Sequence, residues 1–484
     1  LDTQQLYTLT GQLAVPNLNQ AETRPSKKFF VSMLTRDIDL SDAILDLVDN
    51  SLDGALRLGA DNHGYTPYHI EVIVNKEEFL MKDNCGGIPR KIAAQYAFRM
   101  GRDSDDPRDA QHATIGMYGI GMKRALFKMG NQAKVDTNHD GDRFLVRITP
   151  EWISSTNWDP IPFDIPTTDD GEQLIGTTIS VQSLASGVAS KFDDPSFLLD
   201  LRKAFADHFT MFIQRGLTIE LNGIAIEPTR VLVLLDQSQN SPKPFFMRFH
   251  HGTTTIVMTI GLNGGVALTS EELESANFTR ERASPTAGWS IFCNDRAIVI
   301  GDKGRLTGWG DGVPMFHPQF NVITGIIEFR SNEANELPVT TTKRALDASS
   351  EAWLLARPMM REATKSIVGH TNRWKNHSKE LQANAFNAST QVSLAEVERF
   401  FDSNPDLLSL RRGTQAVFYD PVKKGVMPNA PSENKANLRI SFSRSREQVV
   451  ALGAALLDDT AADPSDVGSA AFDDCYRRLD NGNG

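Results

Sequence analysis

From residue 39 the chain repeats apolar residues at three- and four-residue intervals, Ile44, Leu45, Val48, Leu52, Ala55 and Leu56, until Gly59 interrupts them. That period puts one apolar stripe on a helix, with Ser41 as the expected N-cap. Asp46, Asn50 and Asp53 stand at i, i+4 and i+7 and share a polar face beside the stripe. Alternation then takes over: residues 70–74 and 79–81 read as strands, the second entering the turn Asn84-Cys85-Gly86-Gly87. A helix is expected from Arg90 to about Met100. The charged stretch 101–112 has no apolar period and suits a surface loop or lid. Gly116-Met117-Tyr118-Gly119-Ile120-Gly121 opens a helix over 122–129, and strands are expected at 144–148 and 177–181.

A second region begins with helix-like 195–214 and carries strands at 217–221, 254–261, 289–294 and 323–329. Past Lys343 helix formers dominate to about residue 381. Further helices are expected over 447–457 and 467–479, with a strand near 438–442. The first 25 residues are polar and aperiodic, either an arm that orders on a partner or a disordered tail. The expected boundaries are therefore an arm 1–25, then 26–190, 191–348 and a mostly helical region 349–484.

With 484 residues and 40% hydrophobic and 23% charged positions, the chain has the composition of a soluble globular protein of about three domains. Its 61 acidic against 50 basic residues give −11, which excludes a uniformly basic nucleic-acid coat and leaves room for local basic patches. Cys85, Cys293 and Cys475 form no CxxC pair, so neither a disulfide framework nor a zinc knuckle is indicated. No apolar run approaches a membrane span, and Leu1-Asp2-Thr3-Gln4 lacks signal-peptide character. The expectation is a cytoplasmic protein with no membrane attachment.

Four short motifs carry chemistry. The polar helix face is the first. Asp83 ends a strand before a flexible turn, where a buried carboxylate can accept from an exocyclic amino group. Gly116-x-x-Gly119-x-Gly121 before a helix offers backbone amides to an anion. Gly176-Thr177 starts a strand with a small hydroxyl. Taken singly these are also a solvated face, a tight turn and a helix entry. In this order they resemble the GHKL ATPases, the superfamily of the type II topoisomerase ATPase subunit, the ninety-kilodalton heat-shock chaperones, MutL, MORC and the sensor histidine kinases. The resemblance implies an α+β chain: a GHKL (Bergerat) α/β sandwich, an S5-like transducer domain and the helical carboxy-terminal region.

Carried over by residue, the resemblance implies ATP and Mg²⁺ as ligands. Asn50 matches the Mg²⁺ ligand and Asp46 the acid that activates the attacking water. Asp83 matches the reader of the adenine amino group, with Thr177 supporting it through a hydroxyl or a water, and Gly87 gives the ring clearance. Asp53, Ile88 and Ile120 join the ATP-binding set, and Gly116, Gly119 and Gly121 match the phosphate-binding lid. Leu337-Pro338-Val339-Thr340-Thr341-Thr342-Lys343-Arg344 resembles the transducer loop whose lysine, here Lys343, reaches the γ-phosphate. Lys123 and Arg124 are read either as phosphate contacts or as a basic turn of a surface helix. Two positions depart from the family: Asp46 replaces the usual Glu, which shortens the reach of the base and slows hydrolysis, and Cys85 stands where relatives have Gly.

No His precedes His63 and some 300 residues follow the motifs, unlike a sensor kinase. The glycine motif is nearer to the MORC and chaperone branch than to MutL. The family implies an ATP-dependent homodimer and a protein or nucleic-acid client. Three functions follow: a cycling ATPase, an ATP-gated scaffold with little turnover, or a MORC-like nucleic-acid clamp. Trp353, Trp374, Arg361, Lys365, Arg373 and Lys375 form either a basic face for nucleic acid or a solvated helix with Trp packed inward.

Overall fold

The computed structural model describes residues 26–60, 64–101, 119–166, 175–236, 243–264, 284–340, 343–373, 389–405, 409–412, 417–420 and 443–481. The chain divides into two compact units, Leu1–Ala430 and Pro431–Gly484. The fold is a mixture of helices and sheets, as expected.

In the first unit, α1 (Lys27–Arg36) precedes α2 (Leu40–Arg57). Ala43, Ile44, Leu47, Val48, Leu52 and Ala55 of α2 are wholly buried against an eight-stranded sheet. Its cap is Asp39, in extended backbone, rather than Ser41, which lies inside the first turn. The sheet runs β5-β4-β3-β6-β2-β1-β7-β8. Its strands are β1 (His69–Val74), β2 (Phe79–Asp83), β3 (Gly130–His139), β4 (Asp142–Ile148), β5 (Phe163–Asp164), β6 (Gly176–Leu184), β7 (Thr218–Leu221) and β8 (Ile224–Ala225). All pairs are antiparallel except β1 with β7. The long strand β3 carries no alternation strong enough to be foreseen. Residues 90–100 form only a three-residue α-turn and a π-turn, not the expected helix. Helix α3 (Gly121–Met129) packs across α2.

The segment 195–214 is two helices, α4 (Pro195–His208) and α5 (Thr210–Gln214). Leu201, Phe205, Phe209 and Phe212 belong to the first core, while Met211 packs on the second sheet. That sheet, β10-β11-β14-β12-β13, consists of β10 (Phe245–His251), β11 (Thr254–Leu262), β12 (Gly288–Cys293), β13 (Arg296–Asp302) and β14 (Ile323–Arg330). α6 (Glu351–Arg373) buries Trp353, Ala356 and Met360 on one face. The other face meets α7 (Leu394–Ser403) and β9 (Val233–Leu235). Strand β7, expected in the second region, therefore hydrogen-bonds into the first sheet, and α6, expected in the carboxy-terminal region, is part of the second layer.

The second unit contains α8 (Arg446–Leu457) and α9 (Pro464–Asn481), which pack together, with Val467 buried between them and Gly453 allowing close approach. The strand expected near 438–442, and the arm, Trp374 and Lys375, lie outside the described residues. Among the described residues no helix is long and apolar enough to cross a membrane.

Candidate functional site

A cleft of about 1150 Å³, open mouth included, lies between α2, the ends of β2 and β6, and the start of α3. Asp46, Asn50, Asp53, Asp83, Gly87, Ile88, Gly119, Ile120, Gly121, Thr177 and Lys343 all line it. Gly116 falls outside the described residues.

One end centres on Asp83, the last residue of β2, 7% exposed. Ser51 of α2 donates its hydroxyl to Oδ2 at 2.7 Å. The backbone N–H of Cys85 at 2.8 Å and of Thr177 at 3.3 Å both donate to Oδ1. Antiparallel register sets the last contact, since Asp83 pairs with Thr177 across β2 and β6. Burial pushes the Asp83 carboxyl above its ordinary range, and these uncharged donors only partly offset it. Oδ1 is shared by two N–H donors, whereas Oδ2 accepts from Ser51 and keeps further acceptor capacity.

The Thr177 hydroxyl lies 3.2 Å from that of Thr137 and supports it, while the backbone of Thr177 serves Asp83. Thr137 in turn accepts from the Ile88 N–H at 2.7 Å. Gly87 has φ +67°, and a Cβ there would stand 2.1 Å from the carbonyl oxygen of Asn138. Close approach to β3 requires glycine here. Positive φ falls on Gly86 and Gly87, so Cys85 sits in the turn without strain. Its thiol is held well above the usual range by burial and then by Asp83, which keeps it protonated and poorly nucleophilic.

The other end is built from charges. Gly121 opens α3 directly against Asp46: a Cβ there would lie 3.3 Å from the Asp46 Oδ2. One turn on, Arg124 pairs with the same oxygen. Lys123 donates to the carbonyl oxygens of Gly119 and, at 2.8 Å, Ala97. Lys123 and Arg124 are both buried, so neither belongs to a surface helix. Asn50 is exposed on the cleft, and Asp53, 2% exposed, lies beside it.

Lys343 arrives from a loop beyond the second sheet and is 8% exposed. Its ammonium lies 3.0 Å from Asp49 Oδ2 and 3.8 Å from Asp46 Oδ1. The neighbouring Arg344 pairs with Asp42, so two successive residues fasten this loop to α2. Burial alone would discharge Lys343, yet Asp49, Asp46 and Asp53 together raise its proton affinity above the ordinary value.

Asp49 and Arg296 were not anticipated. Asp49 is fully buried, and Arg296 of β13 grips it through Nε at 2.7 Å and Nη2 at 3.4 Å. Burial raises the Asp49 carboxyl, but Arg296 and Lys343 outweigh it and hold the group below its usual range. The available signal was an acid among the buried positions of an amphipathic helix, which demands a cation from elsewhere.

Among the described residues no group of three His, Cys, Asp or Glu is arranged to hold a metal ion.

Residues 38–177 match the family model for histidine kinase-, DNA gyrase B-, and HSP90-like ATPases. No match for the chain was found among curated proteins. The matched segment contains every cleft motif except the Lys343 loop. Residues 38–177 are thus an ATPase domain of the GHKL superfamily.

Proposed function

We propose that the protein binds ATP with Mg²⁺ in this cleft, hydrolyses it slowly, and passes the nucleotide state to a dimer partner and a macromolecular client. The observation that carries this reading is the convergence of Lys343, more than 290 residues downstream, on the α2 acids within 3.0 and 3.8 Å. In this reading Asp83 accepts from the adenine amino group, and Ser51 and two backbone N–H groups hold its carboxylate in place. The α3 N-terminus and Gly119 to Gly121 face the phosphates. Asn50 would hold Mg²⁺, which when bound offsets phosphate charge. Asp46 orients and deprotonates the water that attacks in line, and Lys343 balances the charge that develops on the terminal phosphate. The layer built on the second sheet acts as transducer: a cation supplied from that layer makes the number of phosphates a matter of inter-layer contact.

A second reading is favoured by Arg124. The Asp46 carboxylate is already engaged by Arg124, with Lys343 close by, and Asp is shorter than Glu, so its reach to an attacking water is curtailed. An ATP-gated scaffold that binds tightly and turns over little follows from that pair. Phosphate release by the wild type, Asp46→Ala and Asn50→Ala separates the readings. An ATPase loses at least about 10²-fold in both variants. Equal rates in all three would refute the catalytic assignment, and calorimetric binding with no release in any of them supports the scaffold.

A further inference from the structure

Asp49 carries two cations that are held in different ways. Arg296 belongs to a rigid hairpin: the Asn294 side chain in its turn exchanges two hydrogen bonds of 2.9 Å with the Ser331 backbone. Its guanidinium also lies 4.9 Å over the Phe209 ring. Lys343 sits on a loop in left-handed backbone, φ 57°, and its side chain faces the cleft as well as Asp49. A fully buried carboxylate stripped of every cation is strongly unfavourable. Were Lys343 its only partner, any ligand that recruited the ammonium would leave such a charge behind. With Arg296 in place, Asp49 remains paired after Lys343 departs.

We propose that Arg296 is a positioning residue acting through Asp49: by neutralising that carboxylate permanently, it frees Lys343 to move onto the terminal phosphate of a bound nucleotide. This rests on the nucleotide reading of the cleft given above. It assigns to the second sheet two separable roles, one fixed cation that holds the layers together and one exchangeable cation that reports the third phosphate. Discrimination between ATP and ADP then depends on a residue that touches neither.

The test is the ratio of affinities for a non-hydrolysable ATP analogue and for ADP, each with Mg²⁺, by calorimetry on the full chain with ADP as internal reference. The wild type prefers the triphosphate, and Lys343→Met lowers that preference by about tenfold or more. Arg296→Met approaches the Lys343→Met value, because Asp49 now retains the ammonium. Arg296→Met combined with Asp49→Asn removes the trapping anion and restores the preference to within about threefold of wild type. A merely structural arginine gives no such rescue. A wild-type preference in Arg296→Met, or a double variant as poor as Lys343→Met, overturns the proposal. If Arg296→Met does not fold, Arg296→Gln takes its place beside the double variant, with the same loss and the same rescue expected. An unchanged preference in Lys343→Met defeats the role of Lys343 itself and the proposal with it. A normal Lys343→Met result beside an unaffected Arg296→Met defeats only the proposal.

Discussion

The two ends of the cleft each rest on a buried carboxylate, and these are perturbed in opposite directions. Asp83 meets a hydroxyl and two backbone N–H groups, and burial prevails to raise its proton affinity. Asp49 meets a guanidinium and an ammonium, which prevail over burial and lower it. The Asp83 end is complete within α2, β2 with the turn that follows it, and β6. The Asp49 end is complete only when β13 and the Lys343 loop pack onto α2. In the proposed reading, a neutral polar edge of the nucleotide is met by local groups, whereas its charge is met by a side chain delivered from another layer.

The comparison breaks most readily at Asp83. Asp83→Ala is expected to weaken ADP and ATP equally, by about hundredfold or 2–3 kcal/mol, since it removes a shared contact and strands three buried donors. Calorimetry checks this, and a loss confined to ATP would mean that the two ends have been assigned the wrong way round.

Acid should instead attack the Asp49 end. His208 packs beside Arg296 with Nδ1 2.7 Å from the Ala297 carbonyl oxygen, and burial, then Arg296, push it down to about 4. The neutral ring is favoured only in the folded chain, so the unfolded chain takes up the proton first. Stability is full above about pH 6.5 and falls as pH drops toward 4, by about 2 kcal/mol for this residue. Denaturant unfolding at pH 7 and 4.5 measures the drop, and His208→Leu should flatten it. His370, also pushed down to about 4 by burial and then Arg373, adds a loss of the same sign in the second layer.

Asp46→Glu extends the carboxylate past its pairing position with Arg124 and should raise phosphate release about tenfold. An unchanged rate would move the slow step away from the chemistry. Ser51→Ala is the mildest test: loss of one hydroxyl donor to Asp83 should cost about 1 kcal/mol of nucleotide affinity, roughly fivefold, without altering the ATP-to-ADP ratio.

The motifs were legible because each lies within one helix or one turn: i, i+4, i+7 spacing already puts Asp46, Asn50 and Asp53 on one face, and a strand end followed by two glycines already presents Asp83. Ser51 was hidden because a hydroxyl inside an apolar helix looks neutral until β2 is docked beside it. Asp49 left only the signal of an acid at a buried helix position, and its partner Arg296, 247 positions away, left none. The 90–100 segment failed for a related reason: its apolar residues fit a helical period, but the chain there winds into a π-turn against the cleft mouth. Layer membership was blurred where β7 and α6 cross the expected boundaries, since sheet pairing and face packing are decided by partners distant in sequence.

The central claim is that one nucleotide spans both ends. Calorimetric titration of Mg²⁺–ATP into the wild type, Asp83→Ala and Asn50→Ala tests it most directly. Saturable heat with wild type, and sharply weakened binding in each variant despite intact folding, is the predicted result. No heat with folded wild type, or affinity indifferent to both substitutions, would contradict it.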